Sequence, residues 1–199
     1  MNFFRKKIAT ACLFLLPILL FSQERTQSVN ISLLKENTPT SFNNLINPFI
    51  QPLHYGGFIT YEWKRKSDSY YAFSHGVQFG YYRHSQLHQN LFLMWKPKFE
   101  WTFRNKLNFK LLTGIGYAHT FPTQETYQLE NGEYKRKTNF GKPHAAVSVG
   151  YGLGYNLTSE VEFFIHSELM FLLPYAPKGI IPFYLSSNFS AGFKIYLNK

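Results

Sequence analysis

The feature that most constrains the fold is a strict alternation of apolar and polar residues from Phe183 to Leu197. Successive side chains of a β-strand point to opposite faces, so a period of two over so long a run predicts a strand with one apolar and one polar face. The apolar positions are Phe183, Leu185, Phe189, Ala191, Phe193, Ile195 and Leu197. Strands of soluble domains are usually much shorter, which favours a strand that crosses a membrane.

The same alternation recurs in six upstream segments, where odd-numbered residues are mostly apolar and even-numbered residues carry nearly every charge. These segments lie within residues 55–64, 71–82, 90–102, 107–117, 144–156 and 160–171. Lipid requires an uncharged outer face and fully paired backbone groups, which strands provide only in a closed barrel. We therefore predict an all-β fold, an antiparallel transmembrane β-barrel of the cell outer membrane. A soluble β-sandwich is the alternative, but its strands would be about half as long.

Seven strands would leave the two chain ends on opposite sides of the membrane, so an eighth is needed. The candidate is residues 28–34, where Val29, Ile31 and Leu33 alternate with polar residues. Residues 37–52 would then form either an extracellular loop or a plug inside the barrel. The predicted organisation is a signal peptide at 1–22, an N-terminal segment at 23–52 with the first strand, and the main barrel at 53–199.

A secretory signal is predicted from a basic start, an apolar run over residues 8–21 and the small residue Ser22. The run is shorter than the roughly 20 residues that a membrane-spanning helix needs, so we expect it to be cleaved. The single cysteine, Cys12, lies within it. The mature chain therefore has no thiol, which excludes disulfides, a cysteine nucleophile and thiolate metal sites.

The formal net charge is +10, and removing the three bases Arg5, Lys6 and Lys7 leaves +7 for residues 23–199. The remaining bases alternate with apolar, membrane-facing residues, and no nucleic-acid motif is present. We therefore predict outer-membrane lipids and lipopolysaccharide as partners, and no nucleic acid. The sequence does not indicate an oligomeric state.

The inward face of the predicted barrel carries a set of charged residues. An eight-stranded barrel is just wide enough for side chains to fill, and buried charges must pair, so we predict a luminal polar network. Its members are Glu62, Lys64, Lys96, Lys98, Glu100, Lys110, Glu162, His166, Glu168 and Lys194. A path for protons or small ions through this network is the alternative.

No motif indicates a cofactor, a metal or a nucleotide. The glycines of Gly150–Gly154 lie within a strand rather than at the start of a helix, so they predict tight curvature and room for luminal groups. His88, His119 and His144 lie near predicted extracellular ends, but their spacing matches no metal signature, so a metal site would need assembly across strands.

Catalysis has one weak pair of candidates. His166 and Glu168 share the inward face and could act as base and orienting carboxylate, but no serine joins them on their own strand two residues away. Both point away from acyl chains. A luminal structural role explains these two residues better than a catalytic triad does.

The chain resembles the small outer-membrane β-barrel proteins of Bacteroidota over roughly residues 48–197. The resemblance depends on residues 47–62, 114–121, 131–134 and the glycine-rich fifth segment, and on the Ser22-Gln23 junction. It implies an outer-membrane barrel inserted by the barrel-assembly machinery, and it assigns no chemistry. The chain departs from the pattern by ending in Leu197-Asn198-Lys199 instead of the terminal aromatic residue that commonly serves as an assembly signal.

Three functions remain open from the sequence. The first is a non-enzymatic barrel with a structural or surface-interaction role and a closed, charge-filled interior. The second is a hydrolase or acyltransferase that modifies lipid A, and the third is a narrow conduit for small solutes. A lipid-modifying enzyme needs serine, histidine and a carboxylate at the lipid-facing rim, whereas a conduit needs a gap in the luminal network.

Overall fold

The computed structural model describes residues 25–37, 54–65, 70–84, 88–103, 106–130, 132–174 and 183–197. The predicted signal peptide at 1–22 and the segment 38–53, predicted as part of a loop or plug, lie outside these residues. At positions 25, 26, 64, 65, 126, 130 and 137 only the backbone is described. The strands are β1 (Arg25–Asn37), β2 (His54–Arg65), β3 (Tyr71–Arg83), β4 (His88–Trp95), β5 (Lys98–Phe103), β6 (Leu107–Pro122), β7 (Thr126–Glu130), β8 (Glu133–Lys137), β9 (Lys142–Asn156), β10 (Val161–Leu173) and β11 (Tyr184–Tyr196). Within these residues, no helix has the length and apolar character needed to cross a membrane.

Eight barrel strands close into a ring, because β1 pairs antiparallel with both β2 and β11. Strands β4 and β5 form one barrel strand, since both pair with β3 on one side and with β6 on the other. Proline has no N–H to donate, so Pro97 interrupts the ladder there. The interruption is local, because Lys96 still exchanges backbone hydrogen bonds with Gly76. The predicted eight-stranded antiparallel barrel is confirmed.

The predicted assignment of faces is confirmed along the barrel strands. Odd-numbered apolar side chains such as Leu93, Ile115 and Leu153 are half exposed on the outside, while the even-numbered side chains between them are mainly buried. Phe103 pairs with Leu107, and Leu157 donates its backbone N–H to the Val161 carbonyl, so three residues separate the partners in each turn. An odd count keeps paired residues on one face.

The two ends of the barrel differ. One end holds the start of β1, the end of β11 and the connections that follow β2, β5 and β9; we call it the turn end. The opposite end, here called the loop end, holds the connections that follow β1, β3, β6 and β10. Strands β7 and β8 belong to the connection after β6 and form a separate two-stranded hairpin, with Gly132 at a φ of 86° that favours glycine.

The interior has two zones. Toward the turn end it is filled by ionic and polar side chains, described below. Toward the loop end it contains a buried apolar layer that the alternation of faces did not indicate, formed by Leu34, Phe58, Tyr82, Phe92, Met94, Ala118, Ala146, Met170, Leu172 and Tyr184. Glycines make room for large side chains in both zones. In the apolar layer, the ring of Phe92 occupies the space that a Cβ at Gly80 would fill. In the ionic zone, the Nζ atom of Lys110 would lie 3.0 Å from a Cβ at Gly154.

Candidate functional site

Glu62 is the centre of the ionic zone. Its carboxylate accepts hydrogen bonds from Lys98 Nζ at 2.7 and 2.8 Å and from Asn30 Nδ2 at 2.6 Å, and lies 3.0 Å from Lys194 Nζ. These groups come from β2, β5, β1 and β11. Burial makes an isolated charge costly, so the pairing of one carboxylate with two lysines stabilises all three groups.

A second ion pair lies inside the barrel between β6 and β10, which are separated in the sheet by β9. Lys110 on β6 pairs with Glu162 on β10, and Glu162 also accepts hydrogen bonds from Asn108 Nδ2 at 2.9 Å and the Tyr196 hydroxyl at 3.2 Å. The Lys110 ammonium lies 5.3 Å from the centroid of the Phe164 ring, within the range of a cation–π contact. Both charges of the pair are fully buried.

The third ion pair joins Lys96 of the β4–β5 junction to Glu168 on β10. Lys96 Nζ also donates to Ser148 Oγ on β9 at 2.9 Å. Glu100 lies 3.7 Å from Lys194 Nζ, which connects it to the group around Glu62. The structure thus places every predicted network residue inside the barrel except Lys64, whose side chain lies outside the described residues.

The weak catalytic candidates, His166 and Glu168, contact different partners in the lumen. His166 lies opposite Ser190 on β11, and its ring stacks on Phe164 with centroids 4.3 Å apart. The Glu168 carboxylate is engaged by Lys96. A triad requires the histidine to contact both a hydroxyl and a carboxylate, and His166 Nε2 has no hydrogen-bond partner among the described residues. His166 and Glu168 are buried in the interior, away from the lipid-facing surface.

The interior leaves little free space. Two cavities of about 20 Å³ lie along the axis, one beside Glu62 and His166 and the other beside Phe92 and Met170. Each has room for about one water molecule. The buried ion pairs and the apolar layer show that side chains of the described strands occupy the lumen.

The last inward-facing positions at the loop end form a row of one carboxylate and three imidazoles. Glu36 on β1 pairs directly with His54 on β2. Continuing the β2–β3 register by two residues beyond the Gly56–Tyr82 pair places His54 opposite His84. The backbone N–H of His84 donates to the His88 carbonyl at 2.9 Å. All four side chains are buried, and we call them the rim row.

Within the rim row, the rings of His54 and His84 stack with centroids 3.7 Å apart. One side-chain donor atom from each of Glu36, His54 and His84 lies within 4.8 Å of the other two. The Tyr184 hydroxyl donates to Glu36 Oε1 at 3.0 Å. The sequence did not indicate Glu36, His54 and His84 as a group, because only the strand register brings them together. Aligning the inward-facing positions of β1, β2 and β3 across the sheet could have placed them in one row.

Two other histidines near the loop end have both ring nitrogens in hydrogen-bond contact. His144 contacts Thr120 Oγ1 at 2.8 Å and the Pro174 carbonyl at 2.8 Å. His119, on the outer face, contacts the Tyr117 hydroxyl at 2.7 Å and the Phe140 carbonyl at 2.9 Å. Both rings are therefore committed to structural contacts.

Among the described residues outside the membrane-spanning strands, His84 and Tyr127 have displaced pKa values. Burial lowers the pKa of His84 to about 4, with the nearby His54 adding to the effect, so its ring is neutral at pH 7. The hydrogen bond that Tyr127 donates to Glu125 raises the pKa of the Tyr127 phenol.

The β7–β8 hairpin lies outside the barrel sheet and carries exposed apolar side chains. Tyr127, Leu129 and Tyr134 are 58%, 60% and 77% exposed, and Phe140 beyond the hairpin is 81% exposed. A solvent-exposed ion pair joins Arg136 to Glu125 at 3.0 Å. Apolar groups displayed in this way are a common mark of interaction surfaces.

The sequence matches no protein-family model and no curated protein sequence. Solved structures are similar in fold. Neisserial surface protein A is 10% identical, with a TM-score of 0.55 over 86% of this chain and 96% of that protein. Ail, the attachment invasion locus protein of Yersinia pestis, is 10% identical, with a TM-score of 0.44 over 86% of this chain and 97% of Ail. The outer membrane enzyme PagL is 11% identical, with a TM-score of 0.46 over 86% of this chain and 99% of PagL.

Sequence identities this low show a shared fold and nothing more, and the evidence for that fold is the TM-score of 0.55 to Neisserial surface protein A. The closed ring, the apolar outer face and the paired charges inside meet the physical requirements of a barrel in lipid. The chain is a small, eight-stranded transmembrane β-barrel of the outer-membrane type, and the outer membrane is its location.

Proposed function

We propose that the protein is a non-enzymatic outer-membrane barrel with a closed interior, and that it has a structural or surface-interaction role at its loop end. The observation that carries the proposal is the filled lumen, in which three ion-paired groups and an apolar layer occupy the barrel axis. A barrel built in this way is a rigid support for its loops. The residues that resemble Bacteroidota barrels support membership of that group, with insertion by the barrel-assembly machinery and lipopolysaccharide as its neighbour.

The loop end is the side that faces the exterior in this proposal, because outer-membrane barrels have short periplasmic turns and longer extracellular loops. Trp63 and Trp101 then lie near the periplasmic interface, where aromatic girdles occur. The β7–β8 hairpin projects from the exterior end with its apolar side chains exposed.

Planar-bilayer recordings test the closed interior. We expect the purified barrel to produce no stable conductance steps, because paired ionic side chains and an apolar layer occupy the lumen between the described strands. Mass spectrometry of lipid A from cells with and without the protein is the companion measurement, and the acyl pattern should not change. Large, reproducible channels would contradict the closed interior. Loss of an acyl chain that His166→Ala abolishes would favour the lipid-modifying alternative.

Replacement of residues 126–137 by a two-residue Asn-Gly turn tests the surface role. The hairpin forms its own sheet, so the barrel should remain folded without it, with the free energy of unfolding changed by less than about 1 kcal/mol. We expect host cells that display the full protein to bind surfaces more strongly, through the exposed apolar side chains of the hairpin, and cells that display the shortened protein to lose this gain. Equal adhesion with and without the hairpin would remove the hairpin from the proposal.

A further inference from the structure

The rim row is a candidate metal site that is separate from the ionic zone. Three of its members come together there: the Glu36 carboxylate of β1, the His54 imidazole of β2 and the imidazole of His84, the residue that follows β3. Direct cross-strand neighbours have Cβ atoms about 4.5–5.5 Å apart, so a single ion can bridge three such side chains. The apolar layer around Phe58, Phe92 and Met170 separates this row from the buried lysines.

We propose that Glu36, His54 and His84 bind one divalent transition-metal ion of the Zn²⁺ class at the loop end of the barrel. Imidazole and carboxylate ligands together suit Zn²⁺ and its neighbours in the first transition row, whereas Mg²⁺ and Ca²⁺ prefer oxygen ligands only. Three protein ligands with a fourth position for water form a common zinc arrangement.

The distances require only a small adjustment for binding. Nitrogen and oxygen atoms bound at about 2.0–2.1 Å to one tetrahedral ion lie about 3.3 Å apart. The three candidate donor atoms already lie within 4.8 Å of one another. We expect rotation of the His54 and His84 rings, which now stack with centroids 3.7 Å apart, to close the remaining distance.

The surroundings hold the ligands in place. The Tyr184 hydroxyl donates to Glu36 Oε1 at 3.0 Å and orients the carboxylate, as outer-shell partners of metal ligands do. The backbone of His84 is held on both sides, since its N–H donates to the His88 carbonyl and its carbonyl accepts from Thr123 Oγ1 at 3.2 Å. The site is thus preorganised by residues from three other parts of the chain: Tyr184 of β11, His88 of β4 and Thr123 after β6.

The test is a Zn²⁺ titration of the full mature chain, folded in detergent micelles, free of tag histidines and stripped with a chelator. We expect one Zn²⁺ per chain. Because loss of an outer-shell partner alone weakens metal sites about 10–100-fold, Glu36→Gln, His54→Gln and His84→Gln should each weaken binding at least about tenfold. The matched controls His144→Gln and His119→Gln remove histidines with other contacts and should change the affinity by less than about twofold. Excess Mg²⁺ or Ca²⁺ should not compete.

X-ray absorption at the zinc edge of the loaded wild-type protein makes the test independent of how the variants fold. The expected spectrum shows only nitrogen and oxygen neighbours, with the scattering of imidazole rings. The proposal is overturned if the wild-type barrel binds no Zn²⁺ at 1 mM, a concentration typical of weak sites. It is also overturned if the spectrum lacks imidazole scattering, or if His144→Gln weakens binding as much as His84→Gln.

Discussion

Glu62→Gln is expected to destabilise the barrel by about 3–5 kcal/mol, because it leaves Lys98 and Lys194 without the carboxylate that they share. Glutamine keeps the size of the side chain and can still accept from Asn30, so the loss reports on charge rather than on packing. The measurement is urea unfolding at pH 7 in micelles or bilayers. The barrel should also show a lower midpoint with an unchanged slope.

The matched control is Glu125→Gln, which removes one partner of the solvent-exposed pair with Arg136 and should cost about 0–1 kcal/mol. Glu168→Ala should also cost more than Glu125→Ala, since it removes the carboxylate that pairs with Lys96. In a double-mutant cycle, Lys98→Met should offset part of the loss in Glu62→Gln, because one of the two uncompensated charges is gone. Equal losses for Glu62→Gln and Glu125→Gln would show that the luminal pairing does not stabilise the fold.

Val149→Arg is expected to lower the free energy of unfolding by about 2–4 kcal/mol, because it places a cation on the lipid-facing surface near the bilayer midplane. Val149 lies on the outer face of β9, between Thr113 of β6 and Leu169 of β10, and is 45% exposed. It lies midway along its strand, so a long side chain reaches the interface only at a cost. The measurement is unfolding in phospholipid bilayers of defined thickness.

Leu157→Arg provides the control at the turn end. Leu157 follows β9, is also apolar and is 54% exposed, but it lies where the chain leaves the membrane, so its replacement should cost about 0–1 kcal/mol. The difference between these two variants measures depth in the bilayer. If both substitutions are tolerated equally, the outer face of β9 does not lie in lipid.

The strands and their faces could be predicted because the signal is local. In β10, Phe163, Ile165 and Leu169 point outward and Glu162, His166 and Glu168 point inward, and this follows from the order of residues along one strand. The number of strands followed from the requirement that a barrel closes. The bounds of β1 were less visible: the alternation marked residues 28–34, whereas the strand extends over Arg25–Asn37, because pairing with β2 and β11 adds residues whose own pattern is weak.

The apolar layer shows a second limit of the pattern. Phe92, Met94, Met170 and Leu172 occupy even-numbered, inward positions, although alternation alone assigns apolar residues to lipid. A filled lumen accepts apolar side chains as readily as paired charges, because neither leaves an unsatisfied polar group. Whether an apolar residue can face inward therefore depends on the side chains that pack against it inside the lumen.

By itself the sequence determined the membrane-spanning fold, the outward and inward faces and the location, because each depends on periodicity along single strands. Only the tertiary structure decided which inward residues meet. Glu62 pairs with Lys98 and Lys194 from strands that are far apart in sequence, and the donor atoms of Glu36, His54 and His84 come within 4.8 Å of one another across consecutive strands. The physical reason is that closing a tilted, staggered sheet sets the register of every strand pair, and the register sets the partners of each luminal side chain.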